Sequence, residues 1–343
     1  MSDAFNWYPD GLPDELLAME PMALLQALER PTLIRVPGSS GQRPRAISTL
    51  LHGDESTGYA AVLAVLRARH TYAFDLYVVL GNVRAALDDG GFKHRFLDDQ
   101  EDFNRVWGLG DPTTLQRQAA DGILEILRGA DLESLVDIHN NSGDNPFYAI
   151  VRDERPETLH LATRFTTTLL FWDLGAATLM EAIGGSVAAL AIECGLPGRP
   201  ESTAFAIDGL RRYLGAKPLP TENIRVDFDM LRKLRKVHVR PEVNFSFGGK
   251  LDHATDFVVA AGADRANFVE VDKGYVLGKV HFGAALPLSV TAADGTDVTS
   301  DHFAVIEGDV VLLKKATPVM MTRTVEAARK DCLFYLASGA PSF

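Results

Sequence analysis

Short apolar runs alternate with helix-like segments along residues 45–214 of the 343-residue sequence. Strands are predicted at residues 45–51, 74–80, 134–139, 147–151 and 187–193, and helices at 14–30 (interrupted near Pro21), 56–70, 113–128, 157–171 and 201–214. Strands that alternate with helices favour parallel pairing, because a parallel connection needs a crossover. The pattern therefore predicts an α/β domain whose sheet is mainly parallel.

The pattern changes after residue 220, where short strand-like runs are separated by Gly, Asp and Asn turns. These runs are KVHVRPEV, DFVVA, NFVEV, YVLGKVHF, LPLSVTA, HFAVIEG and VVLLKK. The Pro-containing stretch at 215–223 is a suitable junction. Because the chain is too long for one ordinary core, we predict two domains: residues 1–220, and a smaller β-rich domain over residues 221–343.

The charge balance is acidic, with 34 Lys and Arg against 46 Asp and Glu, a formal net charge of −12. It argues against nucleic acid and against anionic membranes as partners, but it allows a small anionic substrate. Only two cysteines occur, Cys194 and Cys332, so no disulfide framework is expected. With no signal-like N-terminus and no long apolar run, the sequence predicts a cytoplasmic protein that does not enter a membrane.

Three of the predicted strands run into residues that can carry chemistry. Strand 45–51 leads into His52 and Glu55, strand 134–139 ends on His139, and strand 187–193 ends on Glu193. Ligands bind outside the carboxyl ends of the strands in an α/β sheet. If these strands are parallel neighbours, all four side chains face one crevice.

His52, Glu55 and His139 have the composition of a catalytic zinc site. The i, i+3 spacing of His52 and Glu55 directs both side chains one way, and Gly53 permits a tight turn between them. Two imidazoles and one carboxylate leave the fourth position of zinc open. The alternative is structural: Asp54 caps a helix, the Glu55 charge stabilises its start, and His139 is an ordinary buried histidine.

Glu193 ends the apolar run AALAIE, so its carboxylate is expected to be partly desolvated. Desolvation raises the pKa of a carboxyl group, which suits a group that takes a proton from water and later returns it. The alternative is a carboxylate that simply pairs with an arginine.

Four motifs in order, LLHGDESTG, EDFNRVW, LVDIHNNSGDNP and LAIECG, resemble those of the aspartoacylase and succinylglutamate desuccinylase family. That family is a branch of the zinc carboxypeptidase-like fold, and the resemblance covers most of residues 45–215. It implies a mixed or parallel sheet flanked by helices, with a smaller C-terminal β-rich domain. Residues 1–220 would then be the catalytic domain.

The resemblance also implies roles for individual positions. It implies one zinc ion per chain, held by His52, Glu55 and His139. It implies that Glu193 acts as the general base and then as the general acid. It also implies that Asn104 and Arg105 bind a substrate carboxylate and that Arg95 stabilises the oxyanion. The sequence departs from the family pattern in two places. The stretch 95–104 is longer than usual, which leaves Arg84 or Lys93 as alternatives to Arg95, and NNSGDNP replaces a threonine-rich stretch after His139.

The function this predicts is zinc-dependent hydrolysis of the amide bond of a small N-acyl amino acid, a deacylase or desuccinylase activity. The substrate is a small molecule that bears a carboxylate, and a homo-oligomer is left open. A zinc carboxypeptidase acting on peptides would use the same catalytic parts. A non-catalytic metal-binding module is a second alternative. A serine hydrolase is disfavoured, because GGSVA at 184–188 lacks the final glycine of a nucleophile elbow.

Overall fold

The structure, a computed structural model, describes residues 3–338. The first two and last five residues, at the outer ends of the two predicted domains, lie outside the described residues. The chain forms two compact units: Met1–Asn140 with Tyr148–Thr167 and Gly175–Asp227, and Asn141–Phe147 with Thr168–Leu174 and Phe228–Phe343. The division into a catalytic and a β-rich domain at residue 220 stays a prediction.

The strands of the described chain are β1 (Asn6–Tyr8), β2 (Thr32–Val36), β3 (Gln42–Thr49), β4 (Phe74–Leu80), β5 (Ser134–His139), β6 (Tyr148–Val151), β7 (Thr168–Phe171), β8 (Ala188–Glu193), β9 (Asp229–Val239), β10 (Phe245–Phe247), β11 (Phe257–Val259), β12 (Val276–Val280), β13 (Leu288–Thr291), β14 (Phe303–Ile306), β15 (Asp309–Leu312), β16 (Thr317–Val319) and β17 (Phe334–Ser338). The helices are α1 (Asp14–Leu17), α2 (Pro21–Leu28), α3 (Ser56–Arg67), α4 (Val83–Leu87), α5 (Leu115–Gly129), α6 (Pro156–Ala162), α7 (Leu179–Ile183), α8 (Pro200–Leu214), α9 (Thr299–His302) and α10 (Val325–Lys330). No helix of residues 3–338 combines the length and the apolar character that a membrane crossing requires.

The first unit contains a mixed sheet with the strand order β1-β2-β4-β3-β5-β8-β6. Strands β4, β3, β5 and β8 are parallel neighbours, whereas β2 and β6 run antiparallel to β4 and β8. Every residue of β5 and β8 is buried, as expected of parallel strands covered on both faces. Helices α3, α6 and α7 pack against these strands. The predicted α/β fold, a mixed sheet flanked by helices, is confirmed.

The second unit is β-rich, as predicted. One of its sheets has the order β7-β9-β17-β16, with β13 also paired to β9, and the other has the order β10-β11-β12-β15-β14. Its core is made of aliphatic and aromatic side chains from these strands, including Val237, Phe257, Val310 and Phe334. At the end of β9, Val237 and Val239 are buried in that core, whereas His238 between them is only partly buried.

Two predicted elements are wrong. The helix predicted over 157–171 ends at Ala162, and Thr168–Phe171 forms strand β7 instead, because the β-branched run 166–168 favours an extended backbone. The strand predicted at NFVEV is absent from the described chain apart from an isolated bridge at Val271. There Phe268 takes a left-handed backbone conformation with φ 60°, which cannot continue a strand.

Candidate metal and active site

The parallel neighbours β3, β5 and β8 end at the same edge of the first unit's sheet. Thr49 of β3 lies in register with Ile138 of β5, and His139 lies in register with Glu193 of β8. The chain leaves β3 through a turn that carries His52 and then starts helix α3 directly after Glu55. The strand order therefore brings the four predicted residues to one edge, and all four are buried.

The Glu55 carboxylate lies between the two imidazoles. Its Oε1 is 2.7 Å from His52 Nδ1 and its Oε2 is 2.7 Å from His139 Nδ1. One donor atom from each of these residues lies within 4.8 Å of the others, so the three could hold a single metal ion. The Asn140 backbone N–H also donates to Glu55 Oε2 at 3.1 Å, which fixes the orientation of the carboxylate.

The outer nitrogen of each imidazole faces a second carboxylate. His52 Nε2 lies 3.1 Å from Asp102 Oδ1, and His139 Nε2 lies 2.8 Å from Asp137 Oδ2. Glu55 faces both Nδ1 atoms, and an ionised carboxylate only accepts, so without a metal each imidazole can donate from both of its nitrogens. A cation that took the place of the two Nδ1 protons would meet two lone pairs and a carboxylate, and each Nε2–H would still donate to its outer carboxylate. The donor set fits zinc.

The charges of the site shift the pKa values of its groups. Burial would raise the pKa of Glu55, but the imidazoles of His52 and His139 hold it well below its usual range. Burial would lower the pKa of His139, but Asp137 and Glu55 raise it well above its usual value. Burial likewise opposes ionisation of Asp102, yet His52 and Arg95 keep its pKa far below normal. The carboxylates are therefore held in the charged form.

Glu193 differs from these carboxylates. Burial raises its pKa to about 7, with the His139 imidazole opposing the shift. A carboxyl group with that pKa can both accept and release a proton near neutral pH.

Cys194, the next residue, is fully buried, and burial raises the pKa of its thiol well above the usual value, so it lacks the properties of a nucleophile.

The remaining predicted residues lie on one irregular segment, residues 95–105, which we call the 95–105 loop. Arg95 donates from Nε and Nη2 to Asp102 Oδ2 at 3.1 and 3.0 Å. Asn104 Nδ2 lies 3.4 Å from His139 Nε2, and Arg105 donates from Nη1 to the Asn104 carbonyl at 2.8 Å. The loop thus reaches His52 and His139 from outside the sheet.

The two alternatives to Arg95 lie in exposed ion pairs. Arg84 Nη2 is 2.7 Å from Asp99 Oδ2, with the arginine side chain 54% exposed. Lys93 Nζ is 3.2 Å from Asp89 Oδ2 and is 57% exposed. Of the three candidates, Arg95 is the one that contacts Asp102, the carboxylate that faces His52 Nε2.

The sequence reasoning missed Asp102 and Asp137, which bind the outer histidine nitrogens. Asp137 had a local signal, because it precedes His139 by two residues on one strand and so shares its face. Asp102 had none of this kind: 50 residues separate it from His52, and only the path of the loop joins them. A third residue, Asn140, was also missed. It accepts from the Thr57 N–H at 3.1 Å and donates to the Gly195 carbonyl at 2.8 Å.

Comparison with known proteins supports the fold. No protein-family model and no curated protein matches the sequence. Among solved structures, a succinylglutamate desuccinylase/aspartoacylase from Rhodobacter sphaeroides is similar to this chain, with a TM-score of 0.55, 16% identity and coverage of 90% of this chain and 89% of that one. Succinylglutamate desuccinylases from Vibrio parahaemolyticus (TM-score 0.53, 17% identity, coverage 83% and 86%) and Vibrio cholerae (0.51, 16%, 89% and 89%) are similar as well. At these identities the likeness concerns the fold: the protein has the α/β fold of the succinylglutamate desuccinylase and aspartoacylase structures.

Proposed function

We propose that the protein is a zinc-dependent hydrolase that cleaves the amide bond of a small N-acyl amino acid. The observation that carries this proposal is the convergence of His52, Glu55 and His139 on one buried point, with the Glu193 carboxylate on the adjacent strand. The sequence motifs resemble one deacylase family, and the solved structures with the same fold bear the names of that family.

The metal would be held by His52 Nδ1, His139 Nδ1 and a Glu55 oxygen, the three donors that face each other. Zinc in this position would supply a Lewis acid that activates water and polarises the substrate carbonyl. Asp102 and Asp137 would keep the proton of each imidazole on its outer nitrogen, so that both Nδ1 atoms are free to act as ligands.

Glu193 is proposed as the general base. It accepts a proton as water attacks the amide carbonyl, and it returns that proton to the departing amine. Both transfers need a carboxyl group whose pKa lies near the working pH, and burial raises the pKa of Glu193 to about 7.

The 95–105 loop is proposed to bind the substrate. Arg105 offers a guanidinium to the substrate carboxylate, and Asn104 offers its Nδ2 hydrogens while its Oδ1 accepts from the Leu179 N–H at 3.3 Å. Arg95 is proposed to stabilise the oxyanion, with its two bonds to Asp102 fixing the plane of the guanidinium.

The test is the Glu193→Gln substitution, which keeps the size of the side chain and removes its basicity. Zinc per chain should stay at one, whereas kcat for amine release from N-acyl amino acids should fall by about 10²–10⁴-fold. Glu125→Gln, on the exposed side of α5, is the matched control and should leave both values unchanged. Metal analysis and an amine-release assay on a panel of N-acyl amino acids measure the two quantities.

The other outcomes separate the alternatives. Full turnover in a zinc-loaded Glu193→Gln variant would remove Glu193 from the mechanism. Wild-type protein that cleaves peptides rather than N-acyl amino acids would be a carboxypeptidase. Stoichiometric zinc without any turnover would indicate a metal-binding module, and the absence of zinc binding would refute the proposal.

A further inference from the structure

The 95–105 loop has neither helix nor strand, yet it carries four residues of the candidate site: Arg95, Asp102, Asn104 and Arg105. Residues in regular elements are held by backbone hydrogen bonds, and residues in such a loop depend on other bonds for their positions. The first end of the loop is fixed where the Gly53 N–H donates to the Arg95 carbonyl at 2.9 Å. Directly after the other end, the Trp107 N–H donates to the Ala177 carbonyl at 3.0 Å, and side chains attach residues 100 and 101 to neighbouring elements.

Glu101, directly before Asp102, joins the loop to the first turn of helix α5. Arg117 donates to its carboxylate from Nη2 (2.7 Å to Oε1) and from Nε (3.0 Å to Oε2), a two-point fork. The hydroxyl of Thr114, the residue before α5, donates to Glu101 Oε2 as well. A planar guanidinium that meets a carboxylate at two points fixes both its distance and its orientation.

Gln100 makes a second attachment one residue earlier. Its Oε1 accepts from Asn82 Nδ2 at 3.0 Å and from the Leu97 N–H at 3.0 Å. Asn82 is buried, and its Oδ1 accepts from the Ala85 N–H at 3.1 Å at the start of α4. Two consecutive residues therefore tie the loop to two different helices immediately before Asp102.

Asp102 transmits any displacement to the site. Its Oδ1 binds His52 Nε2 and accepts from the Asn104 N–H at 2.8 Å, while its Oδ2 accepts from Arg95. A shift of the backbone at Glu101 would therefore displace Asp102, which supports His52, and would displace Asn104, the proposed substrate-binding residue, at the same time. Misplacement of a catalytic group by about 1 Å can cost roughly 10²-fold in rate.

We propose that Arg117, acting through Glu101, is a positioning residue that sets the place of Asp102, Asn104 and Arg105 for substrate binding. The inference rests on the proposed function, because it assigns the purpose of the ion pair to that reaction. The Arg117 and Glu101 side chains are 24% and 33% exposed. The pair therefore lies at the edge of the unit, where its loss is compatible with folding.

The test is Arg117→Gln. KM for the best N-acyl amino acid should rise about tenfold, and the preference for that substrate over its primary carboxamide should fall by a similar factor, since Arg105 no longer meets the carboxylate in register. A purely structural role would leave this preference intact. Arg211→Gln, which removes an exposed ion pair with Asp208 on α8, is the control and should change neither value. The reversed pair E101R/R117E should recover part of the preference.

Amide hydrogen exchange separates failure of this inference from failure of the proposed function. In Arg117→Gln, the amides of residues 96–105 should exchange about tenfold faster than in wild type, and the rate should not change in Arg211→Gln. An active wild type with unchanged KM, selectivity and loop exchange in Arg117→Gln would overturn the positioning role. A wild type without activity on any N-acyl substrate would refute the proposed function, while the exchange result would still decide whether Arg117 orders the loop.

Discussion

Asp137 shows how a single residue decides what a neighbouring histidine can do. Its Oδ2 faces His139 Nε2 at 2.8 Å, and its Oδ1 accepts from the Ser48 hydroxyl on the adjacent strand. Asp137 is only 1% exposed, so water cannot replace it in either bond. The carboxylate thereby fixes the ring orientation of His139 and accepts from its Nε2–H.

Asp137→Asn should weaken zinc binding about 10–100-fold. The amide can turn its N–H towards His139 Nε2, which would move the imidazole proton to Nδ1, the proposed metal-ligand atom. Competition with a chromogenic zinc chelator measures the affinity. Asp131→Asn, an exposed position that pairs with Arg43, is the control. Equal zinc affinity in the wild type and Asp137→Asn would show that Asp137 does not orient a ligand.

At the scale of elements, the site depends on how closely helix α3 approaches the sheet. Glu55 is the residue directly before α3, so the position of the helix determines that of the carboxylate. Gly58, in the first turn, faces the end of β3: a Cβ there would lie 2.0 Å from Thr49 Oγ1 and 3.0 Å from the Ile138 Cβ. No side chain fits without displacing the helix from the strands.

Gly58→Ala should lower the free energy of unfolding by about 1–3 kcal/mol, because overpacking costs more than the gain in helix propensity, about 1 kcal/mol. It should also weaken zinc binding, since the start of α3 moves away from His52. Urea unfolding and zinc titration measure the two effects. Gly129→Ala, at the end of α5 with no atom within 4 Å of the added Cβ, is the matched control and should be neutral or stabilising. A fully stable Gly58→Ala protein with normal zinc affinity would contradict this account.

At the scale of the whole molecule, the second unit includes a segment that is distant in sequence from the rest of it, residues 141–147. Asn267 holds this segment to the strand region near Met321. Its Nδ2 donates to the Asp144 carbonyl at 2.9 Å and to the Met321 carbonyl at 3.2 Å, and its Oδ1 accepts from the Met321 N–H at 2.8 Å. The Asp144 N–H donates to Asp264 Oδ2 at 3.0 Å. The buried side-chain amide of Asn267 therefore forms hydrogen bonds with the backbone of both the segment 141–147 and the region near Met321.

Asn267→Ala should destabilise the second unit by about 2–4 kcal/mol, because the buried N–H and carbonyl of Met321 lose their partner and the Asp144 carbonyl loses its bond as well. Native-state hydrogen exchange should show the loss in residues 141–147 and near Met321. Asn244→Ala is the control, since Asn244 is exposed and its bonds to Asp256 and Phe257 are made by its backbone. If the amides near Met321 were equally protected from hydrogen exchange in the two variants, Asn267 would not be the residue that holds the segment 141–147.

The sequence was sufficient where a property is local to one strand or one turn. The predicted strands at 74–80 and 134–139 match β4 and β5. A short run of apolar residues is typical of a strand that is covered on both faces of its sheet. The convergence of His52, Glu55 and His139 followed from the parallel order of strands, which the helix alternation indicates. The motif resemblance supplied the proposed roles of Asn104, Arg105 and Arg95, which no spacing indicates.

Tertiary structure alone decided what joins residues far apart in the chain. Only the folded chain brings Asp102 into contact with His52, Glu101 with Arg117, and Asn267 with the segment 141–147. Pairing with β9 completes the strand at residues 168–171, which the β-branched run 166–168 already favours. Loop paths and long-range polar pairs have no period in sequence, and their energies depend on burial and on geometry that exist only after the chain has folded.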